Sequence, residues 1–117
     1  MSKRYLEFTP KQLTELSKKD FLDGIRASEG RVAGAYVCPL SPNYLEKVSN
    51  IELAAAFGAD YITLEGYDPK SLQIPGLPSK KSEDDKMTKE LLQVELGIGY
   101  SIPELKKIVG RPIGMIL

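Results

Sequence analysis

The sequence predicts an α/β protein in which three short parallel strands are joined by packed helices. Residues 49–68 have the pattern of a capped helix, a Gly-Ala turn and a strand, and the segments before and after repeat that order. Helices and strands that alternate along a chain form parallel sheets with helical crossovers. We therefore expect residues 32–38, 61–65 and 112–117 to lie side by side in one layer.

The chain is expected to form one domain overall, with a helical segment at residues 1–30 and the α/β part at residues 31–117. Thr9 precedes a proline, and this pair is typical of a helix cap and first turn. Ser17 offers a second cap, which predicts a second short helix. We expect both helices to pack on the core rather than to form an independent binding hairpin.

The first strand is predicted from a continuous run of small and apolar residues at 32–38, which Pro39 ends. A run that is apolar on both faces is typical of a buried parallel strand. The prediction is therefore that both faces of this strand are covered.

The following helix has the clearest local signals. Ser49 and Glu52 have the spacing of a capping box, so a helix should begin near residue 50. Leu53, Ala54 and Phe57 recur on one helical face, which we expect to pack against the sheet.

Residues 61–65 form a β-branched and aromatic run of strand length. Side chains alternate along a strand, so Ile62 and Leu64 should share one face and Thr63 and Glu65 the other. The polar face thus ends in a carboxylate.

Residues 69–81 are predicted to be irregular, and loops of this length are often functional or mobile. A helix is expected after Ser82. A second capping box, at Ser101 and Glu104, predicts the last helix, which leads into the strand at residues 112–117.

Composition narrows the classes of function. The 16 basic and 16 acidic residues cancel, so neither a nucleic acid nor a membrane is an expected partner. One cysteine and the lack of a transmembrane-length apolar run indicate a cytoplasmic protein. The sequence has no histidine, which excludes His-dependent triads and His-rich metal sites within it. Any metal would be held by oxygen ligands, as Mg²⁺ is.

Three stretches carry a family resemblance: RVAGAYVCP, NIELAAAFGADYITLEGYD and SIPELKKIVGRPIGMIL. Together they resemble an uncharacterised family of (β/α)8-barrel proteins labelled phosphoenolpyruvate-phosphonomutase-like, or sometimes haloacid-dehalogenase-like hydrolases. The resemblance covers residues 21–117 and implies the amino-terminal portion of a TIM barrel, a partial barrel of about three strands. It implies a lyase, mutase or hydrolase acting on a small carboxylated or phosphorylated metabolite. We expect the isolated chain to be inactive.

A barrel has its active site at the carboxyl ends of its strands. This rule makes Glu65 and Asp68 the candidate catalytic residues, with Glu65 also a candidate Mg²⁺ ligand. The candidate substrate-binding residues are Tyr67, Cys38, Ser41 and Asn43. Four alternatives remain open: Glu65 paired with a lysine or with loop amides, Asp68 in an Asx turn, Tyr67 as an exposed loop tyrosine, and Cys38 as a buried strand cysteine.

A different class of function is also open. Three strands bury little surface, and unpaired parallel edges require covering. The chain could therefore be a non-catalytic oligomeric α/β module that a partner copy completes. The expected partners are a small-molecule substrate together with either further copies of the chain or the remainder of a barrel.

Overall fold

The computed structural model describes residues 3–43, 45, 47–81 and 95–116. It contains a parallel three-stranded sheet with packed helices, which confirms the predicted α/β class. The elements in chain order are a 3-10 helix (Tyr5–Glu7), α1 (Pro10–Thr14), α2 (Lys18–Ala27), β1 (Gly34–Val37), α3 (Asn50–Ala56), β2 (Tyr61–Leu64), α4 (Ile102–Val109) and β3 (Ile113–Met115). The helix predicted after Ser82 lies outside the described residues.

The three strands follow one another across the sheet in the order β1-β2-β3, and both pairs are parallel. Ala35 lies opposite Ile62, which in turn lies opposite Ile113. The three predicted segments therefore lie side by side as expected, although each strand is shorter than its prediction.

One face of the sheet forms the hydrophobic core. Ile62 and Leu64 of the central strand are completely buried, and Ile51 of α3 and Leu105 of α4 belong to the same cluster. The helices α3 and α4 also contact each other, so they lie on the same side of the sheet. Burial of these side chains is the main source of stability for the α/β unit.

The opposite face of the sheet is much more open. Tyr36 on this face is 59% exposed. The prediction that β1 is buried on both faces is therefore wrong. Among the described residues, α2 covers the amino end of this face, where the ring of Phe21 meets that of Tyr61 at 5.6 Å between centroids. The burial of β1 depends on neighbours that its own apolar run does not specify.

The caps of the first three α-helices form as predicted. The hydroxyl of Ser49 accepts a hydrogen bond from the Glu52 amide at 3.2 Å, and the Glu52 carboxylate accepts one from the Ser49 amide at 3.1 Å. Thr9 and Ser17 accept equivalent bonds at the starts of α1 and α2. At α4 the box is incomplete, because the Ser101 hydroxyl donates to the Glu104 carboxylate and caps no amide.

The packing face of α3 differs from the prediction. Ile51, Ala54 and Ala55 pack in the core, whereas Phe57 is 86% exposed. This helix has only seven residues, and Phe57 is its C-cap, beyond the last full turn. Phe57 lies with Leu53 beside β1 instead of over the sheet.

Part of the predicted loop contributes to the core. Ile74 is completely buried and Leu77 is 8% exposed. The Ile74 amide donates to the Gly97 carbonyl at 2.9 Å, and the Lys80 amide donates to the Ile98 carbonyl at 3.1 Å. Residues 72–80 therefore pair with the segment that precedes α4.

The amino-terminal segment is fixed at the amino ends of the strands. The Tyr5 amide donates to the Ser28 hydroxyl at 2.9 Å, and the Tyr5 hydroxyl donates to the carbonyl of Asp60, just before β2. Burial raises the pKa of Tyr5 well above its usual range. Within the described ranges, no helix has the length and apolar character needed to cross a membrane.

Candidate functional site

The candidate site lies at the carboxyl ends of β1 and β2. The Glu65 amide donates to the Val37 carbonyl at 2.9 Å, which continues the strand pairing by one residue beyond β2. Cys38 directly follows β1, and a β-carbon placed on Gly66 would lie 3.8 Å from the Cys38 sulfur. The two strand ends therefore bring Cys38 and Glu65 close together.

Tyr36 and Glu65 interact on the open face of the sheet. Tyr36 lies opposite Thr63, so Glu65 is its diagonal neighbour two residues along the partner strand. Diagonal neighbours on one face are within reach of long side chains. Partial burial, the charge of Glu65 and a hydrogen bond to its carboxylate together raise the pKa of the Tyr36 hydroxyl. Strand alternation could have found this pair, but only with the register known.

Cys38 is a free cysteine and is only partly buried, so the alternative of a fully buried strand cysteine does not describe it. A hydrogen bond from the Ser41 hydroxyl is the largest cause that lowers the pKa of the thiol. The backbone amides of Leu40 and Ser41 act in the same direction, while partial burial and the charge of Glu65 oppose them. A thiol with a lowered pKa is more often present as the nucleophilic thiolate.

The loop after β1 is held by the first residue of α3. The Asn50 side-chain amide donates to the Cys38 carbonyl at 3.2 Å and to the Ser41 carbonyl at 3.0 Å. Asn43 of the same loop lies against Gly76, since a β-carbon there would be 2.7 Å from the Asn43 amide nitrogen. The sequence did not single out Asn50, because its contacts depend on where the loop folds.

Tyr67 and Asp68 have local roles in the structure. Tyr67 is 7% exposed, belongs to the core cluster, and donates its hydroxyl to the Tyr100 carbonyl at 2.8 Å. Burial raises the pKa of Tyr67. The Asp68 carboxylate accepts a hydrogen bond from the Lys70 amide at 2.9 Å, which is the Asx-turn geometry.

A cavity of about 520 Å³ lies beside β1. Tyr36, Cys38 and Ser41 line it on the side of β1 and the loop that follows, and Leu53 and Phe57 line it on the side of α3. This volume falls in the range of small-molecule sites, which is about 300–1,000 Å³.

A larger depression of about 1160 Å³ lies far from these residues, in the amino-terminal segment. Its charged groups pair with one another, as Arg4 does with Glu7 at 3.0 Å. We therefore place the candidate site at the carboxyl ends of β1 and β2, where the smaller cavity reaches Cys38 and Ser41. Glu65 is not one of the residues that line this cavity.

The described residues contain no group of three or more Cys, Asp or Glu side chains that could hold a metal ion. Glu65 would therefore be a single carboxylate ligand. Mg²⁺ is commonly bound through one or two carboxylates, substrate oxygens and retained waters. Among the described residues, Glu65 and its neighbours therefore do not form an all-protein metal cage.

Comparison with protein families matches residues 6–117 to the family described as Domain of unknown function (DUF7916). Neither the comparison with curated proteins nor the comparison with solved structures found a match. The family match includes α1 and every later helix and strand described above. It therefore covers the candidate site together with the whole sheet.

Proposed function

The chain belongs to the family described as Domain of unknown function (DUF7916), and we propose that it is the amino-terminal part of a TIM-barrel enzyme. Its substrate is a small carboxylated or phosphorylated metabolite, as in phosphoenolpyruvate-phosphonomutase-like barrels. The observation that carries the proposal is the cluster of Tyr36, Cys38 and Glu65 at the carboxyl ends of two adjacent parallel strands. Barrel enzymes have their catalytic residues at this end of the sheet.

The topology supports a barrel over the other common parallel α/β architecture. Strand order runs β1-β2-β3 without reversal, and α3 and α4 share one side of the sheet. A doubly wound sheet reverses its strand order at a switch point and has helices on both faces. In a barrel, the open face with Tyr36 and Thr63 would become the interior.

The site residues suit proton transfer and ligand binding. Glu65 is placed to act as a general base or as an Mg²⁺ ligand, and Cys38 is placed to contact the substrate. Bound Mg²⁺ would offset the negative charge of a substrate carboxylate or phosphate beside Glu65. Ser41 supports Cys38 by donating its hydroxyl to the sulfur.

Ligand binding tests this proposal without requiring turnover. Amide NMR spectra would be recorded with phosphoenolpyruvate, oxaloacetate and lactate, each with and without Mg²⁺. We expect shifts concentrated at residues 36–41 and 65–68, and weaker binding by Glu65→Gln. Glu7→Gln is the matched control, because Glu7 is an exposed carboxylate in the distant amino-terminal segment. Shifts confined to other regions, or none with any ligand, would refute the proposal.

A second candidate function is a non-catalytic module that a second copy completes. In the described residues β1 and β3 each pair only with β2, so each leaves one edge free. Phe57 beside the β1 edge is 86% exposed, and Ile116 after β3 is 47% exposed. Sedimentation equilibrium tests this candidate, which predicts concentration-dependent assembly. A monomer up to high concentration would contradict it.

A further inference from the structure

The turn that carries Cys38 and Ser41 is closed by a side chain from the next helix. Its own backbone supplies a hydrogen bond, from the Ser41 amide to the Cys38 carbonyl at 3.2 Å. The side-chain nitrogen of Asn50 donates to the Cys38 carbonyl at 3.2 Å and to the Ser41 carbonyl at 3.0 Å. Asn50 therefore bonds the first and the last residue of the turn, and both of these residues line the cavity beside β1.

The two bonds depend on the type of side chain at position 50. An asparagine nitrogen carries two hydrogens and can donate to two carbonyls at once, whereas a serine hydroxyl donates once and an ionised aspartate not at all. A glutamine would place the same amide one methylene further from the helix. The double donation is therefore specific to asparagine at this position.

Helix formation does not account for Asn50. It is the first residue of α3, directly after the Ser49 cap. Acidic residues and proline are favoured at the start of a helix, and alanine has a higher helix propensity than asparagine. These rules favour other residues at position 50. What the asparagine supplies is therefore its contact with the turn.

The other polar atom of Asn50 supports this interpretation. Its carbonyl oxygen, Oδ1, is buried and has no hydrogen-bond partner among the described residues. Loss of hydration without a replacing bond costs free energy, so buried polar atoms in native proteins are nearly always paired. A residue that is unfavourable for the fold and still bonds a loop of the candidate site is typical of a functional position.

We infer that Asn50 is a positioning residue of the candidate site, which fixes the turn so that the Cys38 thiol and the Ser41 hydroxyl face the ligand. The inference rests on the proposed function and adds to its site a residue of α3 that acts through the turn. Without Asn50, the turn would keep the backbone bond from Ser41 and the packing of Pro39, which is completely buried. The turn would then have its binding geometry for only part of the time, which weakens binding in proportion.

Two substitutions separate the hydrogen bonds from the charge at position 50. Asn50→Ala removes both donors, and Asn50→Asp removes them but keeps the shape of the side chain. Affinity of the 117-residue chain for phosphoenolpyruvate with Mg²⁺ would be measured by NMR titration. We expect both variants to bind about tenfold more weakly than the native chain, because two bonds that order the turn are lost. A loss with Asn50→Asp alone would be a charge effect and would overturn the inference.

The order of the turn can be measured without a ligand. Exchange of the Ser41 amide with water, followed by NMR, reports the opening of its bond to the Cys38 carbonyl. We expect about tenfold faster exchange in both Asn50 variants. Ala56→Gly is the matched control, because Ala56 is exposed at the other end of α3 and glycine weakens the helix there. Its Ser41 exchange should equal that of the native chain, and circular dichroism would verify that all three variants fold.

A role in the helix and a role in the turn predict different results for Asn50→Asp. An acidic residue in the first turn of α3 stabilises the helix, so a role in the helix alone predicts native Ser41 exchange and a urea midpoint that is equal or higher. A role in the turn predicts faster Ser41 exchange at any midpoint. Equal acceleration of this exchange in Ala56→Gly would overturn the inference, because weakening of the helix would then explain it.

The failures of the two proposals give different patterns. Native affinity in both Asn50 variants, with native or faster Ser41 exchange, would overturn the inference and leave the proposed function standing. Absence of binding by the native chain with phosphoenolpyruvate, oxaloacetate and lactate, with or without Mg²⁺, would overturn the proposed function. In that case faster Ser41 exchange in the variants would still assign the order of the turn to Asn50, and unchanged exchange would overturn this as well.

Discussion

Replacement of Gly76 by alanine tests how residues 72–80 are held against the start of α3. Gly76 has a φ of +101°, and a β-carbon there would lie 2.6 Å from the Ser49 amide nitrogen and 2.8 Å from the Ser49 α-carbon. Both atoms are backbone at a buried helix cap, so they cannot rotate away. The side chain of Asn43 would also be only 2.7 Å distant.

The expected decrease in the free energy of unfolding has two parts. A residue with a β-carbon loses about 1–2 kcal/mol in a left-handed conformation, and overlap with packed atoms typically costs about 1–3 kcal/mol more. Gly76→Ala should therefore lose about 2–5 kcal/mol, a large share of the roughly 5–15 kcal/mol of a typical domain. Gly30→Ala is the control, because Gly30 has a φ of +80° and no atom within 4 Å of the added carbon.

Urea unfolding followed by circular dichroism at 222 nm measures both losses. Midpoints compared at a common slope give the difference in the free energy of unfolding. We expect Gly30→Ala to lower the free energy of unfolding by about 1–2 kcal/mol, which is the cost of the left-handed conformation alone. Equal losses in the two variants would mean that the loop does not approach Ser49 closely, and the described packing of residues 72–80 would be refuted.

Three further predictions concern the core, the thiol and an ion pair. Ile62→Ala should lose about 2–5 kcal/mol by urea unfolding, because the side chain is completely buried; a loss below about 1 kcal/mol would contradict this burial. Ser41→Ala should raise the pH midpoint of Cys38 alkylation by iodoacetamide, since the Ser41 hydroxyl lowers the pKa of the thiol; an unmoved midpoint would exclude this hydrogen bond. Lys80 lowers the pKa of Glu104, so their pairing stabilises the fold above the unfolded-state pKa and is lost as pH falls through the folded-state value. Glu104→Gln should therefore lose less stability than the native chain between pH 6 and pH 3, and parallel profiles would contradict the pair.

The parts of the fold that sequence predicted are those set by near neighbours in the chain. Ser49 and Glu52 form their capping box because both partners lie within one helical turn. Ile62 and Leu64 are buried together because alternation in a strand depends only on its own geometry. Such signals identified all three strands and most helix starts.

The parts that sequence missed depend on contacts between distant segments. Ile74 is buried through pairing with Gly97, and no periodic pattern in either segment predicts that contact. The exposure of Phe57 has a similar origin, because its helical face was predicted from spacing alone while the short helix buries Ile51. Local patterns thus specify elements, and packing decides which of their faces are covered.

The candidate site was also predicted only in part, because the sequence identifies strand ends but not the contacts between strands. The rule for strand ends selected Cys38 and Glu65, which the structure brings together. Tyr36 was missed because it lies inside an apolar run, and only the register with β2 places it beside Glu65. Tyr67 was selected by the same rule, but its side chain enters the core and bonds the Tyr100 carbonyl.

The site shares one residue with the outer edge of β1, which is unpaired among the described residues, and this links the two candidate functions. In a parallel pair, alternate residues direct their backbone groups to the partner, as Val37 does toward Glu65. Tyr36 therefore directs its backbone to this outer edge of β1, while its side chain lies on the same sheet face as Glu65. A strand that paired with this edge, from a barrel or from a second copy, would cover the cavity beside Leu53 and Phe57. Completion of the sheet would then enclose this cavity. Assembly should therefore strengthen ligand binding at the cavity and should not compete with the ligand.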